Sequence, residues 1–209
     1  MVRKTREEAL ETKNLLLDAA ETVFYNKGFS STTLMDVANE AGMTRGAIYW
    51  HFKNKSDLFE AMVERVKMPL ESIFDESTAD SETQPLARLR EFSLHFLNKL
   101  AVDKRQQRVF TIMLYRFEMS GQSELVEERA KESFLRVEKR LFRALKNAVE
   151  RGELPANTDI KTAVCYNHAF FTGIIHNFLY MPANMDLKSL ATSLVNTHFQ
   201  SLINNPPLK

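Results

Sequence analysis

Thr32-Thr33-Leu34-Met35-Asp36-Val37-Ala38, Ala41-Gly42 and Thr44-Arg45-Gly46-Ala47-Ile48-Tyr49-Trp50-His51-Phe52-Lys53-Asn54-Lys55 are the residues on which the fold turns. Thr33, with Asp36 three positions on, starts a helix that carries Leu34, Val37, Ala38 and Ala41 inward. Gly42 stops that helix, and Thr44 caps a short third one running to about Trp50. Asn54 and Asp57 repeat the cap signal for a fourth, with Leu58, Phe59, Met62 and Val66 on its apolar stripe. Two helices crossing at a wide angle need a short turn and a small residue where they touch, and Gly42 and Ala38 supply them. The spacing predicts a helix-turn-helix.

If Ala47 and Ile48 face the core, Thr44, Arg45, Tyr49 and His51 face outward, and Gly46 leaves room for close approach to a duplex. Arg45 suits a guanine edge, and Tyr49 a phosphate or a thymine methyl. Lys55 and Thr33, each at a helix start, suit phosphates. Residues 1–67 hold ten Lys or Arg and ten Asp or Glu, so net charge lends no support. The positive groups that matter are local: Arg3, Lys4, Arg6, Lys27, Arg45, Lys53 and Lys55. On periodicity alone, the same capped helices read equally well as a small bundle with Arg45 and Lys55 solvated.

Upstream, Thr5 and Glu8 offer a capping box for a first helix, and Leu15, Leu16, Ala19, Ala20, Val23 and Phe24 form its stripe before Gly28. Downstream, Pro69 predicts a bend or boundary at 68–69, and the polar run 75–85 a loop. Leu86 to Leu100 marks a fifth helix. Val109, Ile112, Met113 and Phe117 mark a sixth, ending near Ser120-Gly121. A long helix follows from about Ser123 to Arg151, then two apolar ones at roughly 159–181 and 186–203. There is no hairpin signal. The fold class is all-α.

With 44% hydrophobic and 26% charged residues, the composition is that of an ordinary globular chain of 209 residues. No apolar run reaches the ~18–20 residues of a membrane span, and the N-terminus lacks a signal-peptide core. The single Cys165 excludes an intrachain disulfide. The expectation is a cytoplasmic protein with no membrane partner.

The run from Thr32 to Lys55 closely resembles the DNA-binding signature of the TetR family. Arg3-Lys4-Thr5 with Glu7-Glu8-Ala9 and Thr12, and Gly152-Glu153-Leu154-Pro155 with Asp159, are similar to that family's multidrug-efflux repressors, the AcrR, TtgR and MtrR group. The resemblance implies a three-helix DNA-binding domain over 1–55, helix four (about 55–68) as a link, and a ligand-binding and dimerisation domain over 69–209. It implies a homodimer on a palindromic double-stranded operator, joined through the last two helices, and a small hydrophobic or amphipathic inducer. By the same resemblance Phe92, Phe96, Phe110, Leu114, Phe117, Phe134, Val137, Leu141, Asn167, His168, Phe171 and Thr172 line the pocket. Core packing is the competing role for each of these Phe-rich positions. Some relatives carry an acidic residue where this chain has Thr172, which weakens the case for a cationic inducer. For the dimer face the candidates are Ile174, Ile175, Phe178, Leu179, Leu190, Leu194, Val195, Phe199 and Leu202, with burial inside the monomer as the alternative.

Cys165, His168 and His176 share a helical face, but no further ligand completes a metal site, so pocket or core roles are expected. No nucleophile-base-orienter set and no phosphate-cradling Gly loop stand out, so neither catalysis nor a cofactor is expected. Two other readings remain: a regulator switched by a protein partner, and a small helical enzyme or lipid carrier with an incidental helix-turn-helix.

Overall fold

Phe29 lies just beyond the end of the first helix and gathers the packing of everything around it. The computed structural model describes residues 6–77, 79, 81–117 and 124–208. Among them are nine α-helices: α1 (Arg6–Lys27), α2 (Leu34–Glu40), α3 (Arg45–His51), α4 (Lys55–Ser77), α5 (Pro85–Val102), α6 (Lys104–Thr111), α7 (Glu124–Glu150), α8 (Ile160–Tyr180) and α9 (Leu187–Asn204). No strand occurs among the described residues; one isolated bridge joins Thr158 and Leu208. The expected all-α class holds. The Thr5 cap and the Ser120-Gly121 stop lie outside the described residues.

The chain divides into two compact units, Met1–Lys67 with Arg105–Arg129, and Met68–Lys104 with Ala130–Lys209. The first has a core of Leu16, Ala20, Phe24, Val37, Ala38, Ile48, Phe52, Leu58 and Met62, all almost fully buried. Each such side chain contributes about 1.5–3 kcal/mol by leaving water, less for the alanines. Gly28 and Gly42 take φ of 80° and 64°, the left-handed caps that end α1 and α2. At the second, the Met43 N–H reaches back to the Ala38 carbonyl at 2.8 Å and reverses the chain toward α3.

Segment 105–117 completes this unit. Val109 and Ile112 are fully buried in its core, with Phe110, Met113 and Phe117 packed against them. After Thr111 the helix loosens into a π-helical stretch, Ile112–Arg116, and the Arg116 carbonyl accepts the Phe29 N–H at 2.9 Å. Phe29, Phe59 and Phe117 stack around one another with centroids 4.9–5.2 Å apart, within the range aromatic pairs favour. A buried ionic knot ties the same elements. Glu21 of α1 is 2% exposed and accepts from Arg65 of α4 and, at 3.2 Å, from Arg105 of α6; Asp18 takes both arginines at 2.8 and 2.6 Å.

In the second unit Leu86, Leu89, Leu97 and Leu100 of α5 are buried, as are Leu187, Ala191, Val195, Phe199 and Leu202 of α9, and these helices pack together, with α8 also on α9. The Glu153 carboxylate accepts the Leu86 N–H at 2.9 Å, so the Gly-Glu-Leu-Pro turn caps α5 from 67 residues away.

One expectation needs correction. Helix four does not stop at 68–69: α4 runs through Pro69 to Ser77. Proline removes the hydrogen bond to the Arg65 carbonyl and crowds that carbonyl with its ring, a local cost that a long helix survives. The sixth helix, whose apolar marks begin only at Val109, starts at Lys104; Lys104–Arg108 carries no apolar period that could reveal it.

Candidate functional site

The start of α2 is built by a reciprocal cap. Thr33 Oγ1 accepts the Asp36 N–H at 3.1 Å, and Asp36 Oδ2 accepts the Thr33 N–H at 2.8 Å. The Lys27 ammonium donates to the other Asp36 oxygen at 2.6 Å. With the Thr33 bonds, it holds that carboxyl well below the usual carboxylate range. Thr33, expected as a phosphate anchor, thus turns its amide and hydroxyl toward Asp36.

In α3 the Thr44 hydroxyl accepts the Ala47 N–H at 3.2 Å, and Ile48 is fully buried. These two contacts orient the helix. Arg45, Gly46, Tyr49 and Trp50 then face solvent, with His51 half-buried. The Arg45 guanidinium carbon lies 5.4 Å from the Tyr49 ring centre. Nothing among the described residues requires glycine at 46: an added Cβ would meet only the Thr44 hydroxyl, at 3.9 Å.

Trp50 went unassigned in the sequence, yet at 72% it is the most exposed large apolar side chain among the described residues. Its ring stands edge-on to His51 at 4.5 Å. The signal was there: two positions beyond an inward Ile48, at about 100° per residue, a side chain points outward.

Lys55 departs from expectation in another way. Its ammonium donates to the Phe29 and Ser30 carbonyls at 2.7 and 3.1 Å and sits 4.6 Å above the Phe29 ring. Burial there lowers its pKa. The side chain clamps the α1–α2 loop to the start of α4. Beside it, Lys53 is exposed, its N–H held by Asp57 at 3.0 Å.

The residues expected around a ligand fall into several groups. Phe92 and Phe96 lie half-buried on α5, the former 4.8 Å from Phe74. Phe134 stands edge-on to His168 at 4.7 Å, Val137 is partly exposed, and Leu141 is buried. Thr172 is exposed. Asn167 and Phe171 contact His198, a residue the sequence reading passed over. Phe110, Leu114 and Phe117 belong to the first unit, where Phe110 and Phe117 pack on its core and Leu114 is 43% exposed.

His198 is 1% exposed, with Phe170 stacked at 4.3 Å and Nε2 2.8 Å from the Asn167 Oδ1. Burial pushes its pKa down to about 4. Of the expected dimer face, Ile174, Phe178, Val195, Phe199 and Leu202 are buried within the unit itself, while Leu190 is 42% exposed. Among the described residues no group of three or more His, Cys, Asp or Glu could hold a metal. Nor is any helix among them long and apolar enough to cross a membrane.

Residues 16–62 match the model described as bacterial regulatory proteins, tetR family; residues 84–203 match that of the MAATS-type transcriptional repressor, C-terminal region. The chain belongs to the TetR family of transcriptional regulators.

Over all 209 residues it is 35% identical to the HTH-type transcriptional regulator TtgR of Pseudomonas putida, covering 100% of both chains. The crystal structure of NalD, the secondary repressor of the MexAB-OprM multidrug efflux pump in Pseudomonas aeruginosa, is similar at 28% identity with a TM-score of 0.84, covering 96% of this chain and 100% of that one. A complex of SmeT with triclosan is similar at 34% identity with a TM-score of 0.83, covering 91% of each; SmeT represses the SmeDEF multidrug efflux pump of Stenotrophomonas maltophilia. The two family matches leave out residues 63–83, where α4 passes Lys67, the last residue of the first unit's N-terminal part.

Proposed function

We propose that this TetR-family member is a dimeric, ligand-responsive repressor. It binds a palindromic operator, is released by a small hydrophobic or amphipathic inducer, and controls a drug-efflux pump. The observation that carries the DNA-binding part is the outward face of α3. A capped helix anchored by Ile48 presents Arg45, Gly46, Tyr49 and Trp50 to solvent. Glycine there weakens a helix by about 0.5–1 kcal/mol relative to alanine, and no contact among the described residues explains it. Close approach of a duplex backbone does.

On this reading Thr44, Arg45, Gly46, Tyr49 and His51, with Trp50 added, meet the major groove. Thr33 and Lys55 shape the phosphate side through the elements they fix. Two-fold symmetry of the dimer then demands a palindromic site. The dimer face would comprise Leu190 with the half-buried Ile175, Leu179 and Leu194.

The inducer and the efflux target are read from the relatives: triclosan is bound in the SmeT complex, and NalD and SmeT repress multidrug pumps. Phe92, Phe96, Phe134, Val137, Leu141, Asn167, His168, Phe171 and Thr172 are the second unit's candidates to line the ligand site. Phe110, Leu114 and Phe117 belong to the first unit. The ligand would act on α4, in which residues 66–70 around Pro69 form the hinge. An inducer shifts such an equilibrium only by its difference in affinity for the two states, ~5.5 kcal/mol to convert 1:99 into 99:1.

The test is footprinting of the purified protein on DNA flanking its own gene, followed by operator titration with and without triclosan and other hydrophobic antimicrobials. Protection of a palindrome, lost on adding one of them, is the expected result. Operator affinity unchanged by the whole panel at saturation would sink the inducer reading, and absence of protection the repressor reading.

A further inference from the structure

Arg45 is the first residue of a seven-residue helix, with no acidic side chain in its first turn. A cation at a helix N-terminus opposes the macrodipole, so Arg45 is not there for the stability of α3. Among the described residues no hydrogen bond or ion pair holds its guanidinium. What it has is the Tyr49 ring, one turn on, with the guanidinium carbon 5.4 Å from the ring centre. The direction is dictated by the helix: a side chain leans back over the turn that precedes it, which for Tyr49 is the turn of Arg45. Tyr49 is 48% exposed and, among the described residues, its hydroxyl likewise has no hydrogen-bond partner.

We infer that Tyr49 is a positioning residue that holds the Arg45 guanidinium in plane for two-pronged contact with a guanine edge, so that base discrimination by Arg45 depends on an aromatic ring at 49. The inference rests on the reading of α3 as a recognition helix. A free arginine samples many rotamers, and each must be given up on docking. A ring face offers the flat cation a resting place while leaving its donor fork open toward solvent. When the duplex excludes water, the attraction between cation and ring strengthens, so the ring contributes most in the bound state. The hydroxyl of Tyr49 has no part in this. A phosphate contact by Tyr49 would depend on that hydroxyl alone.

The test uses the full chain and a random duplex pool. The duplex selected by the wild-type protein, and its single-base-pair variants, are titrated by fluorescence anisotropy with wild type, Tyr49→Phe, Tyr49→Leu, Arg45→Ala and the Arg45→Ala/Tyr49→Leu double variant. Circular dichroism confirms that each remains helical. The wild-type chain and Tyr49→Phe should lose about ten- to a hundredfold in affinity when the guanine read by Arg45 is replaced. For Tyr49→Leu, discrimination at that base pair should fall by about three- to thirtyfold, with the salt dependence of binding unchanged. In the Arg45→Ala background, Tyr49→Leu should have no further effect there.

Full discrimination in Tyr49→Leu overturns the inference. So does a uniform loss on every duplex in Tyr49→Phe, which would make Tyr49 a phosphate ligand, and so does an undiminished effect of Tyr49→Leu without Arg45, which would make it a direct base contact. A wild-type chain that enriches no duplex at all removes the DNA-binding reading, and this inference with it.

Discussion

Gly46 sits in a helix where an added Cβ would make only an ordinary van der Waals contact, with the Thr44 hydroxyl at 3.9 Å. Gly46→Ala should therefore stabilise the first unit by about 0.5–1 kcal/mol in denaturant unfolding while weakening binding to the selected duplex. A variant that is more stable and binds equally well would remove the argument from close approach. His198 makes the opposite kind of statement, about the interior. Its folded-state pKa of about 4 lies below the ordinary 6.5, so between those values the unfolded chain takes up a proton that the folded chain refuses. Its contribution is complete above pH 6.5 and is lost as pH falls toward 4, to a total of about 3 kcal/mol. Chemical denaturation at pH 7.5 and 4.5 should show this loss in wild type and much less of it in His198→Gln. Equal slopes would mean that the ring is not buried neutral. Arg45, Gly46 and Tyr49 were legible because a helical wheel needs only the sequence. Lys55 was placed at the right helix start, but its loop-closing contacts were not legible, since its carbonyl partners lie 25 and 26 residues away.

At the scale of elements, caps and stops were readable wherever they are local: Thr33 with Asp36, Thr44 with Ala47, Asn54 with Asp57, and the glycine after α1 and α2. The start of α6 was not, because its first turns are polar and its anchoring is ionic. Arg105 joins Arg65 at Glu21 and Asp18, which binds α6 to α1 and α4. Removing one arginine leaves a buried carboxylate short of a partner, so Arg65→Ala should cost about 2–3 kcal/mol. Arg88→Ala, which breaks exposed pairs with Glu82 and Glu91, should cost under about 1 kcal/mol. Thermal or urea unfolding of the two variants checks the contrast, and similar losses would show that the knot is solvated. The π-helical stretch at Ile112–Arg116 also escaped the sequence. Apolar residues at 109, 112, 113 and 117 satisfy an ordinary helical period, and only their neighbours decide how tightly the turn is wound.

For the whole molecule, the compact unit that holds the helix-turn-helix also takes in segment Arg105–Arg129, far along the chain. Segments distant in the chain share a core there because Val109, Ile112 and Phe117 find the faces left open by α1 and α4. The proposed dimer face shows a similar sorting. Apolar residues on α8 and α9 alternate between Val195, buried, and Leu190, exposed, and a hydrophobic count cannot separate the two. Leu190→Glu tests the exposed stripe without disturbing the core. Sedimentation velocity should show a shift from dimer to monomer at unchanged melting temperature, with weaker binding to a palindromic duplex. A persistent dimer would move the interface elsewhere.

The sequence by itself determined the all-α class, the capped starts of α2, α3 and α4 and the outward set on α3, because capping and helical phase act within a few residues of chain. Only the tertiary structure decided that Lys55 closes a loop, that Glu153 caps α5, that Asn167 answers His198 and that α6 sits with the first unit. Those contacts join residues 26 to 67 positions apart where the hydrogen bond is within one side-chain pair or loop. Such pairing depends on which helix faces meet when the apolar stripes are buried, a matter that no local pattern encodes.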